Sequence, residues 1–466
     1  MPITPFKNSG ITVFAETNFR NQRKKFGIKR EDRRRHMYVL GKTGMGKTSL
    51  LSHMMVQDIR AGEGVFIVDT AGEIVEQILQ HIPESRVKDV VYFNPMDREY
   101  PFAFNFLDGI VADDIYAFAD GILPLFHELW SDVWGPRFEY VFKNALVSLL
   151  QYNNATILHL LPLLTDERFR AEVVSRLNDP VLIDFWEKEF SEFPDRFLET
   201  AVSPLQVKMG QIISNPLLRN IIGQGASSFK FSDLIDNKKI VILLSNKNEI
   251  GADIAKFLGG AFMLRLLIEA KKHKKEERDF YIYLDEFQYS AMDMFVEFLS
   301  KSDYGINFIV SNQYLSQIPE SVREALMASA GTFVVFRVSA PDAEFIAEEF
   351  GKAVSAELLS GLSPYAMIVR LMIDGEVHPP FSAVALEPLP KIGLKEKIVG
   401  YSRDRYSHKR LEVERSIAES LKIKNISPLA KGGSKGGSPD LHHAEHLEEF
   451  RKAQSAQTVT VKNEAV

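Results

Sequence analysis

The chain has 466 residues, enough for two or three domains or for one large α/β domain carrying an insertion. Hydrophobic residues make up 45% and charged residues 25%, the balance of a globular protein with a sizeable core. A formal net charge of −6 excludes a chain that coats nucleic acid over its whole surface, and the lack of cysteine excludes disulfides, thiolate metal sites and thiol catalysis.

In chain order, the first segment is polar and then basic ("RNQRKK", "KREDRRR"), without the apolar core of a signal peptide. "HMYVL" (36–40) reads as a short buried strand. "GKTGMGKT" follows it, then a helix with Leu50, Leu51, Met54, Met55 and Ile59 on one face. "GVFIVD" (64–69) and "DVVYFNP" (89–95) are the next strands. From about Phe106 to Ser228 the strand pattern gives way to Leu, Phe, Glu and Arg at helical spacing, broken near "WGPR" and "SNPLLRN", and an all-α insertion is expected there. Strands resume with "KIVILLS" (239–245), "DFYIYLD" (279–285), "GINFIVS" (305–311), "GTFVVFRVS" (331–339) and "YAMIVRLMI" (365–373). Strands apolar on both faces, alternating with helices, predict an α/β fold with a mainly parallel sheet covered on both sides.

The longest apolar stretch, "FLGGAFMLRLLIEA", is too short to span a membrane and contains Arg265, so a soluble protein without a transmembrane segment is expected. "KKHKKEER" (271–278) reads as a solvated helix end, where cations suit the helix dipole, with a DNA contact as the alternative. After about Tyr401, "RLEVERSIAESLKI" is a candidate helix, "AKGGSKGGSPD" a flexible linker, and the rest a polar tail expected to be disordered. The expected division is therefore 1–105 and 229–395 for a sheet domain, 106–228 for the insertion, and 396–466 for a helical extension and tail.

Gly41, Gly46, Lys47 and Thr48 complete the pattern G-x-x-x-x-G-K-[ST] between a strand and a helix. The loop from Gly41 through Lys42, Thr43, Gly44, Met45, Gly46, Lys47 and Thr48 to Ser49 is expected to turn its N–H groups around the phosphates of ATP. Lys47 would reach the β and γ phosphates, and Thr48 would hold Mg²⁺. In "YIYLDEF", Asp285 ends an apolar strand and is placed to serve the magnesium, while Glu286 can activate a water. The plain alternative is that Asp285 caps the next helix and Glu286 is a solvated acid. An Asp–Glu pair points to attack by water, hence hydrolysis. The next strand ends in "VSNQ"; it is expected between the phosphate-loop strand and the acidic strand, with Gln313 as γ-phosphate sensor and Asn312 or Ser311 as substitutes. Arg337 and Arg137 are candidates for an arginine reaching a neighbouring subunit's nucleotide, with structural roles as the alternative for both.

Taken together, "FGIKREDRRRHMYVLGKTGMGKTSLL", "GEGVFIVDTAGEIVEQIL", "IPESRVKDVVYFNP", "WGPRFEYVFKNAL", "NPLLRNIIGQ", "FYIYLDEFQ" and "FRVSAPDAEFIAEEFG" resemble the conjugative DNA-transfer ATPases. These include the type IV secretion coupling proteins, within the HerA/FtsK superfamily of DNA motors. The resemblance covers roughly residues 10 to 395. It implies a RecA-like motor domain interrupted by an all-α domain that receives cargo, ATP and Mg²⁺ as cofactors, and a homo-oligomeric ring, usually a hexamer, with DNA moving through its centre. It also implies a cytoplasmic protein working beside a membrane secretion complex, with a relaxase or channel components as partners. By motif, Lys47 and Thr48 bind phosphate and Mg²⁺, Asp285 serves the metal, Glu286 is the base and Gln313 the sensor. Two features depart from the family. Membrane-anchored members carry N-terminal transmembrane helices, which this sequence does not show. Relatives often have proline after the aspartate that ends the second strand, where "VDTAGE" has Thr70 and Ala71; Asp69 and Glu73 keep the acidic positions without an assigned role. Two other readings stand beside the conjugative motor: a related soluble motor acting in repair or defence with a nuclease, and a nucleotide-gated scaffold that does not translocate.

Overall fold

In chain order the strands are β1 (Ile11–Thr17), β2 (Lys25–Lys29), β3 (Met37–Leu40), β4 (Gly64–Asp69), β5 (Val90–Phe93), β6 (Ile240–Leu244), β7 (Phe280–Leu284), β8 (Ile306–Asn312), β9 (Thr332–Val335), β10 (Ala366–Arg370), β11 (Met372–Ile373), β12 (Glu376–Val377) and β13 (Phe381–Ala385). They come from a computed structural model that describes residues 10–18, 22–272, 279–289, 294–300, 304–387, 389 and 393–421. Most of the basic run 271–278, and the linker and tail beyond 421, lie outside the described residues.

Eleven strands form one sheet in the order β2-β1-β13-β10-β9-β3-β8-β7-β4-β6-β5. From β9 to β5 every pairing is parallel. The flank from β10 to β2 is antiparallel. The parallel part is apolar on both faces, as its sequences require. Tyr38, Leu40, Phe66 and Val68 enter one core, and Met37, Val39, Val65 and Ile67 enter the other. The helix Lys47–Arg60 fills the second core with Leu50, Leu51, Met54, Met55 and Ile59, all buried. The helix Ala252–Lys272 lies in the first core.

Between β5 and β6 every regular element among the described residues is helical, including Ile115–Leu129, Pro136–Leu150 and Asp195–Ser214. Aromatic rings join this segment to the helix Ala252–Lys272: Phe126 lies 5.2 Å from Phe257 and Phe106 lies 5.5 Å from it. Arg265, the polar interruption of the apolar stretch, is buried and donates to the Phe106 carbonyl at 3.0 Å. The helix Lys395–Tyr406 covers the β5 edge, where Ser402 Oγ accepts the Tyr92 N–H at 2.8 Å. At the opposite edge β2 carries Lys25 and Lys29, charges that discourage pairing with another sheet.

Two expected strands are shorter than their apolar runs. The run 331–339 is a strand only to Val335, after which the Phe336 N–H bonds Leu40 O at 2.8 Å. The run 365–373 is cut after Arg370, and Met372–Ile373 pairs instead with β12 in a separate hairpin. The strands β1, β2 and β13 were not expected. β1 carries a register shift between Val13 and Ala15 against β2. A side chain on Gly27 would meet Thr12 O at 2.2 Å, so only glycine fits that close approach.

Candidate nucleotide site

Parallel strands bring their carboxyl ends to one edge, and the crevice there is where open α/β sheets bind ligands. β3 ends in the loop 41–46, which opens the helix beginning at Lys47. Gly44 (φ +75°) and Gly46 (φ +119°) take backbone conformations that L side chains resist, the kind that lets a loop curl its N–H groups around an anion. A Cβ on Gly41 would stand 2.6 Å from Phe336 Cβ, so the loop also needs glycine to pass over β9's exit. Thr43 and Gly44 form the exposed tip.

Lys47 is only 6% exposed. Its Nζ donates to Gly41 O at 2.6 Å and Lys42 O at 3.2 Å. Burial pulls its pKa down, and Asp285 and Glu286 pull it partly back. A buried ammonium held by carbonyls alone, with no ion pair among the described residues, is ready to exchange them for a phosphate.

β8 lies between β3 and β7, as expected, so Asp285, Glu286 and Gln313 converge beside the loop. Asp285 Oδ1 accepts the Ser311 hydroxyl and, at 3.1 Å, the Glu286 N–H. Burial pushes the Asp285 carboxyl above the usual carboxylate range, opposed by Ser311 and Lys47 and reinforced by Glu286 and Asp69. Glu286 sits at φ +56°, a left-handed conformation unusual for a non-glycine residue and typical of functional sites. There its carboxylate accepts two amides: Gln313 Nε2 on Oε1 at 2.6 Å and Gln288 Nε2 on Oε2 at 2.6 Å.

Sequence reasoning missed Gln288. The 3₁₀ turn Phe287–Tyr289 returns Gln288 toward Glu286, a reversal that "LDEFQ" does not announce. The two substitutes for Gln313 fall to other roles. Ser311 is buried and anchors Asp285; Asn312 is buried, accepts the Tyr38 hydroxyl and donates to Tyr314 O, which leaves it no free edge. Asp69 is also explained. Its carboxylate accepts the N–H groups of Ala71 (3.0 Å), Gly72 (2.8 Å) and Val75 (2.8 Å) and so fixes the start of the helix Glu73–Leu79. Glu73 is an exposed first-turn acid of that helix, where the dipole favours it.

Arg337 lies just past β9, half-buried, and its carbonyl accepts the Lys42 N–H at 2.9 Å, so it abuts the phosphate loop of its own chain. Arg137 is exposed, with its guanidinium 5.3 Å from the Phe197 ring centre.

The donor set suits a magnesium nucleotide. The loop offers N–H groups and one buried cation, and Thr48 and Asp285 offer two oxygens. Among the described residues no group of three or more His, Asp or Glu side chains forms a protein-only metal site. Also among the described residues, no helix is long and apolar enough to cross a membrane.

Comparison with known proteins agrees with this layout. Residues 24–363 match the family model described as the type IV secretion-system coupling protein DNA-binding domain. Among solved structures, the plasmid coupling protein TrwB with a non-hydrolysable ATP analogue is 16% identical, with a TM-score of 0.60 over 79% of this chain and 89% of that one. TrwB with ADP and Mg²⁺ is also 16% identical, with a TM-score of 0.57 over 78% of this chain and 88% of that one. VirB4 of Thermoanaerobacter pseudethanolicus is 14% identical, with a TM-score of 0.55 over 82% and 97%. At these identities the likeness shows a common fold. No curated protein matches by sequence.

Proposed function

This chain belongs to the family of the type IV secretion-system coupling protein DNA-binding domain, and on that premise we propose that it is an ATP-hydrolysing motor that moves DNA, most directly in conjugative transfer. The observation that carries the reading is the convergence of Lys47, Asp285, Glu286 and Gln313 at the carboxyl ends of three adjacent strands, in a family whose shared domain binds DNA.

In this reading the loop N–H groups and Lys47 hold the triphosphate, and Thr48 with Asp285 hold Mg²⁺. The metal, when bound, neutralises charge on the transferred phosphoryl group. Glu286 orients and deprotonates the attacking water. Gln313 ties Glu286 to the γ-phosphate: its amide now grips Oε1 and is placed to turn toward a phosphate oxygen. The helical segment between β5 and β6 serves as the domain that meets cargo, and the chain assembles as a ring, with hexamer as the expected form. Arg337, whose carbonyl meets the phosphate loop, and the exposed Arg137 are the two candidates for an arginine that reaches a neighbouring subunit's nucleotide. With a net charge of −6, DNA is held by a local stripe of Lys and Arg lining the pore.

The test is ATP hydrolysis with and without DNA, for wild type and Glu286→Gln, with a salt titration of binding to a generic oligonucleotide in a non-hydrolysed analogue. DNA should stimulate wild-type turnover, and the variant should bind ATP without turning it over. Affinity should fall with salt by a slope of roughly 0.7 to 0.9 per phosphate neutralised. No DNA binding at low salt with analogue present would remove the motor and leave a nucleotide-gated scaffold.

A further inference from the structure

The sheet order gives the bound nucleotide a direction. Its γ-phosphate faces Glu286 and Gln313, at the ends of β7 and β8, on one side of β3. The nucleoside then points to the other side, toward β9, β10 and β13. β10 is antiparallel to β9, and β13 to β10, so the start of β10 and the end of β13 both reach the ligand edge. The residues there are Tyr365, immediately before β10, and Leu386, immediately after β13.

Both are tied to the phosphate loop or its helix. The Tyr365 N–H donates to Met45 O at 2.9 Å, and the Tyr365 carbonyl accepts the Ala385 N–H at 2.9 Å. A Cβ on Gly46 would stand 3.0 Å from Tyr365 Cδ1, so the ring lies against the glycine that precedes Lys47. Ser49 Oγ donates to Leu386 O at 3.5 Å, and His53 Nε2 meets Glu387 O at 2.6 Å, which pins the end of β13 along the first turns of the nucleotide-side helix.

One side of the Tyr365 ring packs on Gly46, and the rest is open. The residue is 48% exposed, and its backbone sits at φ +66°, where a bulky side chain is strained and glycine would be free. A strained, open aromatic ring held beside a phosphate loop is in position to stack on a bound group. We propose that Tyr365 is the platform on which the base of the bound nucleoside triphosphate stacks, with Leu386 as its apolar neighbour. This deepens the ATPase reading and rests on it. Stacking reads ring area rather than base edges, so the larger purines bind better than pyrimidines and ATP and GTP bind alike.

The experiment is calorimetric titration of the full chain with Mg-ATP, Mg-GTP, Mg-CTP and inorganic tripolyphosphate, for wild type, Tyr365→Phe, Tyr365→Ala and Tyr365→Gly. The glycine variant removes the backbone strain, so it keeps the test alive if alanine folds poorly. Expected are an about tenfold loss of ATP and GTP affinity in the alanine and glycine variants, wild-type affinity in the phenylalanine variant, and unchanged tripolyphosphate binding in all four. Wild-type ATP affinity in the glycine variant, or an equal loss of tripolyphosphate, overturns the proposal, the second because Tyr365 then supports the phosphate loop. A wild-type chain that binds neither ATP nor tripolyphosphate overturns the ATPase reading beneath it.

Discussion

β7 carries an aspartate at each end, and the two meet opposite surroundings. Asp279, before the strand, accepts from Arg30 Nε at 2.5 Å, Arg34 Nε at 2.9 Å and Asn307 Nδ2 at 3.1 Å. Burial alone would raise its pKa, but these hydrogen bonds and charges hold it below the usual carboxylate range. Asp285, after the strand, faces Glu286 and Asp69 with a single cation, Lys47, nearby, and its pKa goes up. One edge of the sheet has closed its ionic network, with Glu63 pairing Arg30 at 3.0 Å and Lys238 at 2.8 Å. The other edge has left charges mutually repelling and a buried lysine on carbonyls. Paired ions hold the molecule together. Unpaired ions at the carboxyl ends of parallel strands wait for a ligand that completes them.

Changing each aspartate separately should split stability from activity. Asp285→Asn should cut ATP hydrolysis by about a hundredfold or more, since a metal ligand is lost where charge develops. Its folded-state pKa is raised, so the ionised carboxylate is a liability near neutral pH; the variant should melt at the same temperature or higher. A parallel loss of activity and melting temperature would place Asp285 in the structural class instead.

Asp279→Ala should do the reverse. It strands Arg30 and Arg34, both partly solvated, at a cost of about 2 kcal/mol rather than that of a fully buried pair, with ATP affinity of the folded protein unchanged. The sign with pH follows from the depressed pKa. This stabilisation is complete above the unfolded value of about 3.9 and is lost as pH falls through the lower folded value. Denaturant melts of wild type and variant should therefore converge in acid and separate above about pH 5.

The same contrast explains what was legible in the sequence. β3, β4, β7 and β8 are buried on both faces, so "MYVL", "GVFIV" and "FYIYL" are apolar throughout and "INFIV" is broken only by Asn307, and the phosphate loop is local chemistry on a known spacing. β1, β2 and β13 were not legible. They are only partly buried, so no unbroken apolar run marks them, and β1 pairs antiparallel with a strand as distant in sequence as Ala385 is from Ala15. At the site, Lys47, Thr48, Asp285, Glu286 and Gln313 could be named from motif and strand order. Gln288's grip on Glu286 and the left-handed turn at Glu286 could not, because both depend on a backbone reversal that no periodicity encodes. Asp69 was ambiguous for the complementary reason: an aspartate at a strand end reads alike whether it caps a helix or serves a metal.

β4 lies beside β7 and also ends in an aspartate, which makes it the closer control. Asp69 is 1% exposed and its oxygens are filled by three backbone N–H groups. Asp69→Ala should destabilise the protein by about 2 kcal/mol, the upper range for a lost cap because the donors are buried. Catalytic rate per folded molecule should hold. A specific loss of Mg-nucleotide affinity in the folded fraction would show instead that Asp69 shares the metal.

The smallest expected effect has the opposite sign and concerns the next residue. Thr70 is 3% exposed, and its hydroxyl has no hydrogen-bond partner among the described residues. Its carbonyl accepts the Lys247 N–H at 3.4 Å, a contact that does not depend on the side chain. A buried hydroxyl without a partner pays for desolvation with no return, and valine has nearly the same shape without that oxygen. Thr70→Val should therefore stabilise the chain by about 1 kcal/mol, a rise of one to two degrees for a protein of this size. ATP turnover should be unchanged, because Thr70 follows the capping Asp69 and none of the site's hydrogen bonds uses its hydroxyl. If Thr70→Val instead slows hydrolysis while raising the melting temperature, the hydroxyl serves the reaction, and the boundary of the site moves from β7 to include β4.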